Sequence, residues 1–257
     1  MTDFEGRLMA MLDELRSTEE ITVDEAEEGS LATWITGPGH ALEVIRKVAG
    51  VHLAPVMADS FHRYDGLRCY WRGTADSTIG GEFCLNHLVN VCVDEVPEGL
   101  SDTEWATEEW PTGRHGGYRY LCYSAEVDGP NEEEGMLHAF DQQFLTGTGG
   151  IAGFAVGDEK FATVDGNPGH PEIWYSVNTD GTLLRLDITY PEYLETLLLT
   201  RGLLGWQYLY ADPRDPGFGY CRPRLGPDLD FLERTFPHDD FSGLRARWDA
   251  HLRVRDE

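Results

Sequence analysis

The sequence predicts an α+β fold, because segments with helical periodicity stand on both sides of a long region with strand periodicity. Its composition is typical of a folded chain: 41% of the 257 residues are hydrophobic and 26% are charged. No apolar run approaches the roughly 20 residues of a membrane span, and the opening residues MTDFE lack the basic and apolar regions of a secretory signal. We therefore expect a single cytoplasmic domain over residues 1–257.

The first part of the chain carries helical patterns and one strand pattern. Residues 3–16 place apolar side chains at spacings of three and four, which predicts an amphipathic helix, and an acidic stretch follows. Residues 31–36 are rich in β-branched side chains and end at Gly-Pro-Gly, which predicts a strand. Short helices are predicted over about 40–49 and 55–64, because the first meets a glycine at its end and the second begins with a proline.

Strand patterns predominate in the middle of the chain. They cover the segments 67–71, 81–85, 118–124, 151–156, 172–177 and 183–188. Asp180-Gly181, between the last two segments, favours a tight hairpin turn. Residues 94–117 contain several prolines and glycines but no regular pattern, so we interpret them as a long functional loop or insertion.

The C-terminal part is predicted to be mainly helical. Thr189 and Glu192 have the spacing of a capping box, which predicts a helix that ends near residue 200. A strand over 206–210 and a proline-rich connector precede two further helices. The side chains expected to be buried in this part are Leu194, Leu197, Leu198, Phe241, Leu244 and Trp248.

Negative charge is the strongest compositional feature. The 46 Asp and Glu against 20 Lys and Arg give a formal net charge of −26, a field that repels nucleic-acid phosphates and anionic lipids. We therefore expect neither nucleic-acid nor membrane binding. Seven acids lie within one segment that contains no Lys or Arg: Asp94, Glu95, Glu98, Asp102, Glu104, Glu108 and Glu109. A second acidic group comprises Glu126, Asp128 and Glu132 to Glu134. These acids are either solvated loops or a docking surface for a basic protein.

Two groups of short motifs resemble the SUKH superfamily, which includes yeast cell-wall-assembly regulators and many bacterial immunity proteins. AGVHLAP at 49–55, leading to FHRYDG at 61–66, resembles the entry motif of that family. PEIWY at 171–175, TDG at 179–181 and TYPEYL at 189–194 resemble its closing hairpin and the helix that follows.

The resemblance implies an α+β fold in which one mixed, mainly antiparallel sheet is covered by helices. It implies a family-like core over about 39–200, an insertion over about 94–135 and a C-terminal helical extension over about 205–257. It also implies protein binding, often neutralisation of a toxin, without a cofactor.

Catalytic and metal-binding patterns are weak. Residues 147–153 contain G-x-G-x-x-A, but they precede a strand pattern, whereas a dinucleotide loop must precede a helix. Glu134, His138 and Asp141 have the spacing that places three ligands on one helix face, yet Gly135 weakens such a helix. No G-x-S-x-G nucleophile motif occurs. We therefore predict no catalytic residue, metal or cofactor.

An aromatic group allows a second interpretation. Its members are Trp105, Trp110, Arg114, His115, Tyr118 and Tyr120. They either fill the core or line a pocket under the 94–117 loop, where His115 or Arg114 would hold a small molecule and promote isomerisation or cyclisation. The sequence favours an immunity protein that binds a basic toxin, and it leaves a cofactor-independent enzyme or small-molecule binder as the alternative.

Overall fold

A computed structural model describes most of the chain. The described residues are 4–31, 33–92, 124–128, 134–143, 149–157, 160–161, 169–177, 183–214 and 218–255. They form helices together with an antiparallel sheet, which confirms the predicted α+β fold.

Most of the α-helices agree with the sequence periodicity, although the short helix Leu88–Cys92 was not predicted. They are α1 Phe4–Ser17, α2 Pro38–Val48, α3 Leu88–Cys92, α4 Tyr190–Thr200, α5 Phe218–Thr235 and α6 Ser242–Arg255, with 3-10 helices at Pro55–Ser60 and Trp206–Tyr210. The Thr189 amide donates to Glu192 Oε2 at 2.9 Å, as the capping-box spacing predicts. Helix α2 ends before Gly50, whose φ of 69° is strained for any other residue.

The strands form one large sheet and a separate two-stranded ribbon. They are β1 Ile21–Glu27, β2 Ser30–Leu31, β3 Tyr64–Asp65, β4 Leu67–Gly73, β5 Gly80–Leu85, β6 Ser124–Asp128, β7 Glu134–Gln142, β8 Gly150–Gly157, β9 Lys160–Phe161, β10 Ile173–Val177 and β11 Leu183–Leu186. The sheet order is β1-β4-β5-β7-β8-β10-β11, with β6 beside β7, β9 beside β8, and β2 paired with β3 in the ribbon. All of these pairings are antiparallel.

One face of the sheet packs into the apolar core. Along β4, Leu67, Cys69 and Trp71 are buried, whereas the intervening side chains are half-buried on the outer face. The Trp71 ring stacks on Phe231 of α5, with 6.1 Å between the centroids. Buried residues of α1, α2, α4, α5 and α6 belong to the same core cluster, so the helices cover this inner face.

The sheet forks between β5 and β7, which pair directly only at Leu85 and Asp141. The other half of β5 pairs instead with the segment after α4: Gly81 forms a bridge with Leu203, and the Glu82 amide donates to the Gly202 carbonyl at 2.8 Å. The chain that follows α4 therefore completes the sheet beside β5.

Several local predictions are wrong. Residues 206–210 form a 3-10 helix instead of a strand, and four of the five side chains are buried, so no alternating pattern existed to distinguish the two. Of the predicted strand 31–36, only Leu31 lies in a strand, β2, and the predicted helix 55–64 is a 3-10 helix over Pro55–Ser60. The proline-rich connector was expected to hold Pro213, Pro216 and Pro223, but Pro223 lies within α5.

The predicted C-terminal core is confirmed with one exception. Leu194, Leu197, Phe241, Leu244 and Trp248 are buried. Leu198, by contrast, is only half-buried and packs at the edge of the core.

Candidate functional site

The binding residues nominated by the sequence lie outside the described residues. This holds for the seven acids between Asp94 and Glu109 and for the six pocket residues between Trp105 and Tyr120. In the second acidic group, the backbones of Glu126 and Asp128 lie in β6 and that of Glu134 lies in β7, while Glu132 and Glu133 lie outside the described residues. The described part of the chain offers three other charged or titratable features: a buried carboxyl network, a buried pair of imidazoles and an acidic sheet edge.

The metal-ligand spacing considered for Glu134, His138 and Asp141 does not apply, because these residues lie on strand β7 and not on a helix. The bulge between Ala139 and Asp141 further changes which residues share a face. Among the described residues, no group of three or more His, Cys, Asp or Glu side chains has an arrangement that suits a metal ion.

Asp141 is the centre of a buried hydrogen-bond network at the fork of the sheet. Its Oδ1 accepts the Cys84 amide at 3.0 Å, and its Oδ2 accepts the Tyr193 hydroxyl at 2.7 Å. The same hydroxyl accepts a hydrogen bond from Gln207 Nε2 at 3.2 Å. The network thus joins the sheet to α4 and to the 3-10 helix Trp206–Tyr210.

Burial raises the pKa of Asp141 to about 7, although the hydrogen bonds from Tyr193 and Cys84 oppose this effect. Glu82 adds a second negative charge nearby and raises the pKa of Asp141 further. A carboxyl group with a pKa near 7 suits general acid–base chemistry. However, Asp141 is only 1% exposed, so a substrate cannot reach its carboxyl group in this conformation. We therefore assign the network to the stability of the fork.

Tyr193→Phe is expected to lower the free energy of unfolding by about 1–2 kcal/mol, because it removes a buried donor from Asp141 and an acceptor from Gln207. The matched control is Tyr190→Phe on the same helix: Tyr190 is also buried and contacts Phe140, and its hydroxyl is not part of the Asp141 network. Urea unfolding of both variants at pH 7 measures the difference. Equal losses in the two variants would show that the network contributes nothing specific.

Two buried imidazoles pack edge to face between α1, α3 and the 3-10 helix Pro55–Ser60. The ring centroids of His62 and His87 lie 6.2 Å apart, and the two side chains are 2% and 0% exposed. Burial lowers the pKa of each histidine to about 4, and the charge of His87 adds to the effect at His62. Both rings are therefore neutral at pH 7. His87 Nδ1 accepts the Val89 amide at 3.1 Å, which places its proton on Nε2.

Two surface grooves flank α4, with volumes of about 410 and 540 Å³. The first groove includes Tyr210, whose ring lies 4.1 Å from the Arg247 guanidinium carbon. The half-buried Leu198 lines the second, and Glu195, which pairs with Arg7, borders both. Because both grooves carry acids and arginines together, neither indicates the charge of a ligand.

Strand β1 forms an edge of the large sheet, and its exposed face is acidic. Arg72 Nε donates to Asp24 at 2.5 Å, and Arg68 donates to Glu25 at 2.9 Å, so the middle of the strand is neutralised by β4. The Arg72 guanidinium also holds the pKa of Asp24 below its usual range. At the two ends of the strand lie exposed acids without a cationic partner among the described residues: Glu19, Glu20, Glu27 and Glu28. We call β1 together with these four acids the acidic edge.

Sequence reasoning did not identify the acidic edge as a strand. Its inward residues Ile21, Val23 and Ala26 do alternate, but a bulge between Val23 and Glu25 shifts the period. Acidic side chains are also uncommon in strands, which weakened the signal further. The apolar alternation around the bulge is the signal that could have identified β1 as a strand, although not as an edge of the sheet.

No helix among the described residues has the length and apolar character needed to cross a membrane. The chain was also compared with protein-family models, with curated proteins and with solved structures, and none of the three comparisons found a match.

Proposed function

We propose that this protein is a binding module for a basic protein, and that it acts as an immunity protein that masks a basic toxin. One observation carries the proposal: arginines on the outer sheet face are paired with the protein's own carboxylates, while the acids at both ends of β1 have no cationic partner in the part of the chain that the structure describes. The surplus negative charge is therefore available to a partner. The resemblance to the SUKH superfamily supports the same class of function.

The exposed carboxylates should affect how fast a partner binds more than they affect the stability of the fold. Exposed carboxylates without partners add little to folding, but a field of one sign raises the association rate of an oppositely charged protein. The net charge of −26 supplies that field, and the acids of 94–109 and of the acidic edge concentrate it. Added salt should accordingly slow association much more than it changes dissociation.

The test compares three variants that each remove four negative charges. The loop variant changes Glu98, Asp102, Glu104 and Glu108 to amides; the edge variant changes Glu19, Glu20, Glu27 and Glu28 to Gln; the control variant changes the exposed acids Glu43, Asp59, Asp230 and Asp249 to amides. The partner is first identified by pull-down from the native cell lysate and then purified. Association rates are measured with each variant at two salt concentrations.

We expect the loop variant, the edge variant or both to associate on the order of tenfold more slowly at low salt, while the control variant stays within about twofold. If the association rates of the loop and edge variants are both unchanged, these acids form only a solvated surface and the proposal fails. The proposal also fails if no partner is captured while Trp110→Ala or His115→Ala abolishes conversion of a pathway intermediate. That result would establish the enzyme alternative, whose residues lie outside the described ranges.

A further inference from the structure

The acidic edge has an unpaired backbone in addition to its charge. Strand β1 pairs with β4 only, so within the described ranges alternate N–H and C=O groups on its other side have no neighbouring strand. The opposite edge of the sheet, β11, differs. It is four residues long, and just beyond it the Asp187 amide donates to the Tyr210 carbonyl at 2.7 Å. The longer, seven-residue β1 is therefore the better template for another strand.

The charges along β1 specify which strand fits it. Because Asp24 and Glu25 are paired with arginines of β4, the middle of the edge is close to neutral. Among the described residues, carboxylates without a cationic partner remain at Glu19 and Glu20 before the strand and at Glu27 and Glu28 at its end, about 25 Å apart at the usual rise per residue. A complementary strand carries Lys or Arg at both ends and uncharged residues between them.

A second copy of this chain does not meet that description. Two β1 strands placed side by side would bring the unpaired acids of one copy close to those of the other, and like charges opposite each other destabilise a strand pair. The acids thus disfavour self-association at this edge, as charged side chains often do at the edges of natural sheets. A basic strand turns the same charges into attraction.

We infer that the acidic edge binds an extended basic segment of the partner, which adds to the large sheet as a strand beside β1. The inference rests on the proposed function and specifies how the partner docks. Main-chain hydrogen bonds hold the segment against β1, and its terminal cations contact the acids at the two ends of the strand. Affinity then depends both on the peptide N–H groups and on charge.

The test uses synthetic nine-residue peptides in which two lysines flank each end of a Val-Thr-Val-Thr-Val centre. Two further peptides have the same side chains and charge but carry N-methyl groups, one at the valines and the other at the threonines. Because alternate amides of a strand point in opposite directions, only one of the methylated peptides loses donors that face β1. Binding of each peptide is titrated by fluorescence anisotropy against the native protein, the edge variant and the control variant.

We expect the unmodified peptide to bind the native protein and the control variant alike, and the edge variant at least about tenfold more weakly. One methylated peptide should also bind at least about tenfold more weakly, while the other matches the unmodified peptide. Equal binding of all three peptides would reduce the contact to charge alone and overturn strand addition. Failure of the unmodified peptide to bind, or a dimer in sedimentation that the peptide does not dissociate, overturns it too.

These outcomes are distinguishable from failure of the proposed function. If the loop variant loses partner capture while no peptide binds at β1, the function stands and strand addition falls. If the peptides behave as expected while all three protein variants capture the partner at the native rate, the acidic edge does bind basic strands, but the immunity proposal and the assignment of that strand to the captured partner both fall.

Discussion

Arg201→Ala is expected to lower the free energy of unfolding by about 3 kcal/mol, because Arg201 joins three parts of the fold through one buried guanidinium. Its side chain is only 5% exposed and pairs with Glu14 of α1 at 2.7 Å and with Asp239, before α6, at 2.6 Å. The guanidinium carbon also lies 3.6 Å from the centroid of the Phe236 ring. Urea unfolding at pH 7 measures the loss.

Two matched variants test the physical reason. Arg201 has a φ of 53°, a left-handed conformation that favours glycine, so Arg201→Gly should be about 1 kcal/mol more stable than Arg201→Ala. Arg7→Ala removes an exposed ion pair with Glu195 and should cost less than about 1 kcal/mol. If Arg201→Ala costs no more than Arg7→Ala, burial adds nothing to the Arg201 contacts.

The second large effect concerns the pH dependence of the free energy of unfolding, to which His62 and Asp141 contribute in opposite directions. In the folded protein the pKa of His62 is about 4, below its ordinary value of 6.5, so the unfolded chain binds more protons between these two values. The stability that neutral His62 contributes is therefore complete above pH 6.5 and is lost as the pH falls towards 4. Between pH 7 and pH 5 this loss amounts to about 2 kcal/mol, and His62→Gln removes it.

Asp141 acts in the opposite direction. Its folded pKa of about 7 lies above its ordinary value of 3.8, so the folded protein takes up a proton as the pH falls from 7 to 5 and gains about 2 kcal/mol. Asp141→Asn removes this gain. The change in stability of the native protein between pH 7 and pH 5 should therefore lie between the changes of the two variants.

Urea unfolding at pH 5, 6 and 7 gives the slopes for the native protein, His62→Gln and Asp141→Asn. The readout is the change with pH, so an overall loss of stability in a variant does not affect it. His87, Asp228 and Glu5 are titratable groups common to all three proteins, so their own contributions cancel in the differences between the slopes. The electrostatic coupling between His62 and His87 is removed together with the His62 ring and counts as part of the His62 effect. Parallel slopes for the two variants would contradict the prediction.

Local signals in the sequence were sufficient where neighbouring residues decide the structure. The glycine at position 50 and the Thr189-Glu192 capping box each act within one turn of helix, and the helices they predict are present. Strand β7 escaped prediction because its bulge at Ala139 to Asp141 interrupts the alternation, and its acids suggested a helix face. Such bulges depend on the neighbouring strand, which a local pattern does not contain.

The functional features likewise divide into those that the sequence reveals locally and those that depend on distant residues. Composition alone reveals the surplus of negative charge, since counting residues requires no structure. The acidic edge could not be predicted, because it is an edge only if β1 pairs with β4 and with no other strand, and that pairing joins residues nearly 50 positions apart. The buried network around Asp141 requires Tyr193 and Gln207 from still more distant elements.

The pairing of β5 with the segment after α4 also sets the order in which the chain can fold. Gly81 and Leu203 are about 120 residues apart, so their contact has a high contact order and closes a long loop at a large entropic cost. On the ribosome, β5 is synthesised long before the segment that follows α4. Until that segment emerges, the backbone groups of β5 that pair with it have no partner. We therefore expect the nascent chain to be most prone to aggregation in this interval, and to gain protease resistance only after residue 204 has emerged.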